Sequence, residues 1–263
     1  MAPFFLFFIT LLSFFSLYAS PVENGAAPQI IQEGFFIPVS SWVDARGGYE
    51  GDFVGDAKLA QTEEGSGRVD TFQQFTNAAT ITVNLLDRLD LYGLFGSSRV
   101  CADWRFSENS AVTQIQIETL YRFFWGAGAR GILYEWGNLF LGTGGRYSRC
   151  RYKPSWLTSN GVPQTTAGAR LEWREWQVDL ALAYKIDFFV PYIGTQYSNV
   201  QAHLGTLSIP IAGNGSGNDH FENRIPVGMV IGCVISNGRY FMLNIEGRLI
   251  SEEALTISGD LRF

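Results

Sequence analysis

The stretch VDARGGYEGDFV, residues 43–54, sets Val43, Ala45, Tyr49 and Phe53 on one face of a period-two strand. Asp44, Arg46, Glu50 and Asp52 fall on the other face. The same alternation recurs from Trp42 to the end of the sequence and closes in LTISGDLRF, where Leu255, Ile257, Gly259, Leu261 and Phe263 oppose Thr256, Ser258, Asp260 and Arg262. A strand with one oily and one charged face must separate two media. Two arrangements satisfy that demand: a soluble sandwich with its oily faces in a core, or a closed barrel with its oily faces in lipid.

The spacing of the connections favours the barrel. Hairpins are predicted around short turns at 86–88, 134–138, 187–189 and 236–239, the last carrying the Asn237-Gly238 pair favoured in two-residue turns. Longer connections at 56–68, 99–118, 153–172 and 203–222 alternate with them, so all short turns fall on one side and all long loops on the other. Outer-membrane barrels pair short periplasmic turns with longer external loops in this way. The reading is an all-β, closed antiparallel transmembrane β-barrel of about ten strands, with both termini on the short-turn side. In TTAGARLEWREW the alternation changes phase between Trp173 and Trp176, which implies either a bulge or an added pair of strands, making twelve the alternative.

Composition agrees with this. Charged residues make up 17% of the chain, below the roughly 25% of soluble domains, while aromatics reach 15% and there are 29 glycines. The first twenty residues, MAPFFLFFITLLSFFSLYAS, are apolar and uncharged and read as a secretory signal peptide ending at Ala19, with an uncleaved anchor as the alternative. No later apolar run is comparable, so an integral protein would cross as strands. The domain expectation is a signal peptide over 1–19, a periplasmic N-terminal segment over 20–42 and the barrel over 43–263. The net charge of −6 argues against nucleic acid as a partner.

On the charged strand faces, acids fall at Asp44, Glu50, Asp52, Asp90, Asp179, Glu246 and Asp260, and bases at Arg46, Arg130, Arg146, Lys185, Arg248 and Arg262. These are the candidate pore-lining residues. Their near balance leaves ion selectivity open, and paired charges can also fill a narrow barrel. Cys101 and Cys150 both lie near the outer ends of strands, where they could pair within the chain, pair with neighbours, or stand as isolated thiols; Cys233 shares the lipid face of Ile231 and Ile235. GAGARG at 126–131 matches a dinucleotide-binding pattern, but it lies inside a strand and opens no helix. His203 and His220 share a predicted loop with Asp219 and Glu222, a weak metal pattern that solvated loop residues explain better, and Asn214-Gly215-Ser216 reads as loop chemistry. No nucleophile elbow or cofactor pattern is present, so neither an enzyme nor a cofactor is expected.

The stretches WVDARGGYEGDFVGD, LLDRLDLYGLFGSS, FFWGAGARGILYEWGNLFLGTGGRYS and EWQVDLALAYKIDFFVPYIGTQYS, with the closing SGDLRF, resemble the chlamydial major outer membrane proteins, or chlamydial porins. They span most of the chain in the family's order. The resemblance implies an oligomeric porin that passes small solutes, sits in outer-membrane lipid and is disulfide-linked to other envelope proteins. This chain is shorter and has only three cysteines. Likeness to outer-membrane proteins as a class implies that the terminal aromatic Phe263 is a barrel-assembly signal. The expected function is passive diffusion of small hydrophilic solutes and ions across a bacterial outer membrane, with structural and surface-antigen roles; the alternative is a non-conducting structural or adhesive barrel.

Overall fold

The computed structural model describes residues 24–37, 41–61, 68–108, 111–205 and 219–263. The signal-peptide expectation falls on residues 1–19, outside the described residues. One 3-10 turn, Ala27–Gln29, precedes fifteen strands. In chain order these are β1 (Val43–Ala57), β2 (Leu59–Gln61), β3 (Arg68–Leu85), β4 (Leu89–Glu108), β5 (Ala111–Thr119), β6 (Arg122–Trp136), β7 (Leu139–Tyr152) and β8 (Pro154–Ser159). They continue with β9 (Val162–Pro163), β10 (Arg170–Tyr184), β11 (Phe189–Gly205), β12 (Asp219–Asn223), β13 (Val227–Ser236), β14 (Phe241–Leu249) and β15 (Glu252–Arg262).

Ten of these close on themselves in the order β3-β1-β15-β14-β13-β11-β10-β7-β6-β4, and the β3–β4 pairing completes the ring. Every pairing is antiparallel, including that between β1 and the final strand, where Arg46 faces Arg262 and Phe53 faces Leu255. The ring leaves no open edge in hydrocarbon, where each unpaired backbone group costs several kcal/mol. Four tight turns lie at one end. Leu86 and Asp87 both have positive φ, the geometry that matches the twist of a two-residue hairpin. In the last turn Asn237 Oδ1 accepts from the backbone N–H of Arg239 and Tyr240. Both ends of the barrel's chain are at this end too, since Leu86 N–H donates to Trp42 O and Phe263 N–H to Ala45 O.

At the opposite end the strands outrun the lipid. Residues 99–118 and 153–172, expected from sequence as loops, are largely strand: β4 runs on into a hairpin with β5, and β5 pairs with β8. A second extension joins β11 through β12 and β2 to β3. Of the other two expected loops, residues 62–67 and 206–218 lie outside the described residues. The loop expectation failed because the alternation inverts there. Trp104, Ile115, Ile117 and Leu157 turn their apolar side chains inward, where water rather than lipid surrounds the wall.

The same inversion accounts for TTAGARLEWREW. β10 runs without a register shift against either neighbour, with Leu171, Trp173, Glu175, Gln177 and Asp179 all buried inside. Trp173 is part of the internal apolar cluster while Trp176 faces outward, so the phase change marks neither a bulge nor added strands, and the ring holds ten strands, not twelve.

The outer face is a belt of exposed apolar side chains, among them Ile81, Leu91, Leu180, Ile193, Ile231, Ile245 and Ile257. Water would penalise such a belt; a bilayer requires it. Replacing Ile193, in mid-belt, by Arg is expected to destabilise the barrel by about 2–4 kcal/mol, while Arg at Gln201, on the same face of β11 beyond the belt, costs about 0–1 kcal/mol. Reversible urea unfolding from phospholipid vesicles measures both, and equal costs would show that the belt does not meet lipid.

Candidate functional site

Successive residues of a strand point to opposite faces, so the outward apolar belt fixes the inner residues. The structure places Asp44, Arg46, Glu50, Asp52, Asp90, Arg130, Arg146, Asp179, Glu246, Arg248, Asp260 and Arg262 inside the barrel, each between 0% and 8% exposed. Lys185 is different: it follows the last residue of β10, half-buried at the turn-side rim, with its N–H bonded to Asn138 O. Two further acids, Glu175 and Glu252, are buried inside with the expected set. Sequence reading missed them because each sits beside apolar inner neighbours or at a strand end. Among the described residues the buried carboxylates and guanidiniums are thus nine (Asp44, Glu50, Asp52, Asp90, Glu175, Asp179, Glu246, Glu252, Asp260) and five (Arg46, Arg130, Arg146, Arg248, Arg262).

These groups form two linked clusters. Nearest the turns, Arg130 Nε donates to Asp90 at 2.8 Å and Asn84 Nδ2 to the same carboxylate at 2.5 Å. Arg46 lies 3.5 Å from Asp90 and 3.4 Å from Asp44, and Asp44 also meets Arg262 at 3.0 Å. Deeper, Arg248 is gripped by Asp52 at 2.7 Å and Glu252 at 2.5 Å, with Glu246 at 3.7 Å and the Thr256 hydroxyl also in contact. Arg146 donates to Glu50 at 2.8 Å. Inside a low-dielectric wall such charges persist only when paired and hydrogen-bonded. The side chains occupy the space between the strands, as the modest diameter of a ten-strand ring requires. Gly128 of GAGARG serves the same filling: a side chain there would strike the ring of Tyr92.

Apolar groups close both ends. Toward the extended strands, Phe72, Trp104, Leu171, Trp173, Leu204 and Phe221 belong to one buried cluster, with Phe72 and Trp173 stacked at 4.8 Å. A layer of hydroxyls and amides, Gln74, Thr76, Ser98 and Tyr152, separates this cap from the charges. At the turn end the stopper is the chain itself. Residues 24–31, part of the segment expected to precede the barrel in the periplasm, enter its mouth, with Ala26, Ala27, Ile30 and Ile31 at most 2% exposed among Phe140, Val190, Val234 and Met242. Arg46 donates to the carbonyls of Ala27 at 3.0 Å and Pro28 at 2.9 Å, and Arg262 to that of Ile31 at 2.6 Å. Gly25 lies so close to Gly142 of β7 that a side chain on either would overlap the other's backbone. No sequence signal of alternation marks this plug, because it is not a strand.

The three cysteines are free. Of the alternatives open to Cys101 and Cys150, a bond within the chain is not made, and the reason is the wall: Cys150 is buried on the inner face, its thiol 3.3 Å from Phe123 O, while Cys101 takes the outward positions of β4. A disulfide cannot pass through a strand pair. Cys233 faces outward with Ile231 and Ile235. His203 and His220 face each other across β11 and β12 with ring centroids 4.4 Å apart. Among the described residues no group of three or more His, Cys, Asp or Glu is placed to hold a metal ion. Phe263, at the seam of the ring, lies against Gly47 of β1.

A closed wall, an apolar outer belt and a charged interior define an outer-membrane β-barrel. A family model described as Chlamydia major outer membrane protein matches residues 156–217. The major outer membrane porins of Chlamydia trachomatis serovars H and C are each 25% identical to this chain over 391 aligned positions, which take in 98% of this chain and 98% of the relative. The chain is similar to that family at a distance; with 263 residues against 391 aligned positions, it lacks segments that the relatives carry. Solved outer-membrane barrels are similar at a lower level. The protease OmpT from Escherichia coli has a TM-score of 0.41 at 9% identity, covering 84% of this chain and 94% of that one. The translocator domain of the autotransporter NalP from Neisseria meningitidis has a TM-score of 0.41 at 12% identity, covering 85% and 89%.

Arg248 is the keystone of the deeper cluster. Arg248→Met leaves Asp52, Glu246 and Glu252 facing one another without their cation and is expected to cost about 3–5 kcal/mol. Adding Glu252→Gln recovers part of that loss. Urea unfolding in vesicles reads both, and an unchanged midpoint in the single variant would mean that the cluster contributes nothing.

Proposed function

We propose that the chain is a narrow porin, passing small hydrophilic solutes and ions passively through its charged interior, with residues 24–31 closing the turn-side mouth in the conformation described here. The observation that carries this reading is the inner face itself, where nine carboxylates and five guanidiniums are buried among the described residues. Several of their atoms, Glu50 Oε2, Arg146 Nε and Arg262 Nε among them, are buried without a hydrogen-bond partner among the described residues. An unsatisfied buried polar atom costs about 1–3 kcal/mol, and an interior that admits water removes that cost. The relatives named as major outer membrane porins support the same reading. It includes no catalytic role.

A second reading is favoured by one observation. Many of the charges are paired and the external end is capped by Phe72, Trp104, Trp173 and Phe221, which suits a non-conducting barrel that braces the envelope and presents its extended strands at the surface. Planar-bilayer recording of the refolded full chain separates the two. The porin reading expects discrete conductance steps and, from the excess of carboxylates over guanidiniums, a reversal potential showing cation preference. Gly142→Val, which forces the plug backbone away from β7, is expected to raise conductance or open probability several-fold. Silence from both proteins, with heat-modifiable gel migration proving that each barrel is assembled, establishes the bracing role instead.

A further inference from the structure

The interior takes up five arginines; a second concentration of positive charge lies on the outside, and conduction has no use for it. On the outer face of β10 the apolar residues Leu182, Leu180 and Val178 are followed by Trp176 and then by Arg174, Glu172 and Arg170. On β7 the sequence passes from Leu141 to Tyr147 and then to Arg149 and Arg151. The register sets Tyr147 beside Trp176, Arg149 beside Arg174 and Arg151 beside Glu172, while Trp125 of β6 faces Arg149 and its ring lies 5.6 Å from that of Tyr147. An aromatic girdle therefore runs across β6, β7 and β10, and cations follow immediately beyond it. Girdles of this kind mark the level where acyl chains give way to headgroups.

Bases outnumber acids there among the described residues. Arg149, Arg151 and Arg174 all lean on one carboxylate, Glu172, at 3.5, 3.1 and 3.5 Å. Arg122, Lys153 and Arg170 join them along the same rim, so among the described residues six bases stand against Glu172 and against Glu222, which shares a groove with Arg174, in a chain whose net charge is −6. Glu118 and Glu222 lie on flanking strands. Arg151 and Arg174 keep 69% and 50% of their side-chain surface exposed. Two grooves share Arg122 and Arg151. One, of about 420 Å³, has Phe123 and Trp125 in its lining with Arg149; the other, of about 450 Å³, is bordered by Lys153 and Arg170. One groove offers aromatic surface and the other offers cations, and arginine forks suit phosphate oxygens.

From this juxtaposition we infer that the rim formed by Arg122, Arg149, Arg151, Lys153, Arg170 and Arg174 is a binding site for the phosphorylated headgroup of an outer-leaflet lipid, whose acyl chains lie along the Trp125, Tyr147 and Trp176 girdle. A lipid is favoured over a soluble polyanion by position: the cations begin one residue pair past the girdle, within reach of a membrane phosphate. The site is independent of whether the barrel conducts.

The test uses the refolded full chain and diphosphoryl lipid A in phosphatidylcholine vesicles, with phosphatidylcholine alone, inorganic phosphate and heparin as the other probes. Lipid A is expected to stay bound through detergent exchange. The triple variant Arg149→Gln, Arg151→Gln, Arg174→Gln is expected to weaken binding on the order of a hundredfold, and Arg151→Gln alone roughly fivefold, since each base near an anionic surface contributes about that factor. If the triple variant fails to assemble, as judged by heat-modifiable migration, the single variant carries the test. Arg88→Gln with Arg239→Gln, at the turn end, should leave binding unchanged. Equal retention of phosphatidylcholine, equal loss in the turn-end variant, or heparin or inorganic phosphate bound as tightly as lipid A would each overturn the assignment.

Discussion

Hydrocarbon offers no hydrogen bonds to a peptide, and the rest of this structure depends on that fact. Each N–H and C=O within the belt has to be met by a neighbouring strand, so the first and last strands of the ring must find each other. The β1–β15 pairing satisfies this, with eleven residue pairs from Arg46–Arg262 to Ala57–Glu252. Once the ring is closed at ten strands its bore is set, and the bore decides what the inner side chains can do. Long arginines and acids reach past their neighbours: Arg248 of β14 meets Asp52 of β1 beyond β15, and Arg146 of β7 meets Glu50 of β1 across the bore. The interior is thus cross-braced by charge in a way that a wider ring would not permit.

Much of this was legible in the sequence, for a definite reason. Period-two alternation reports which side of a strand avoids water, and within the lipid belt that side is always the outside. Asp44, Arg46, Glu50 and Asp52 were therefore readable as inner residues from one twelve-residue stretch, and the tight turns around Leu86-Asp87 and Asn237-Gly238 were readable from their spacing. The signal fails where its premise fails. Past the belt, water lies outside and the apolar residues turn inward, so Trp104, Ile115 and Trp173 suggested loops and a phase change where there is continuous strand. An apolar residue says only that water is absent, not on which side. Cys101 and Cys150 show the complementary limit: both lie toward the same end of the barrel, but a bond needs one face of the wall and they take opposite faces. The plug was invisible to any periodic test, because its contacts are made by backbone carbonyls with Arg46 and Arg262.

The buried charges also bear on how the fold is specified, whatever crosses it. A register slip by one residue would exchange the two faces of a strand. For β1 that slip sends Asp44, Arg46, Glu50 and Asp52 into lipid, where a basic residue at the midplane costs about 2–4 kcal/mol and an acid somewhat less. No alternative pairing of similar hydrogen bonding could offset such a penalty on several strands at once. Charge on the inner face is thus sufficient to explain a single register, and its mere presence does not require a pore. What register does not explain is the imbalance, nine carboxylates to five guanidiniums, or the hydrogen bonds by which two of those guanidiniums, Arg46 and Arg262, also hold the carbonyls of an inserted segment. Pairing alone would favour equal numbers and no free ends. An acid-rich column, stoppered at one mouth by a segment held through a few hydrogen bonds and a glycine contact, is the arrangement expected if the closed state is one of two.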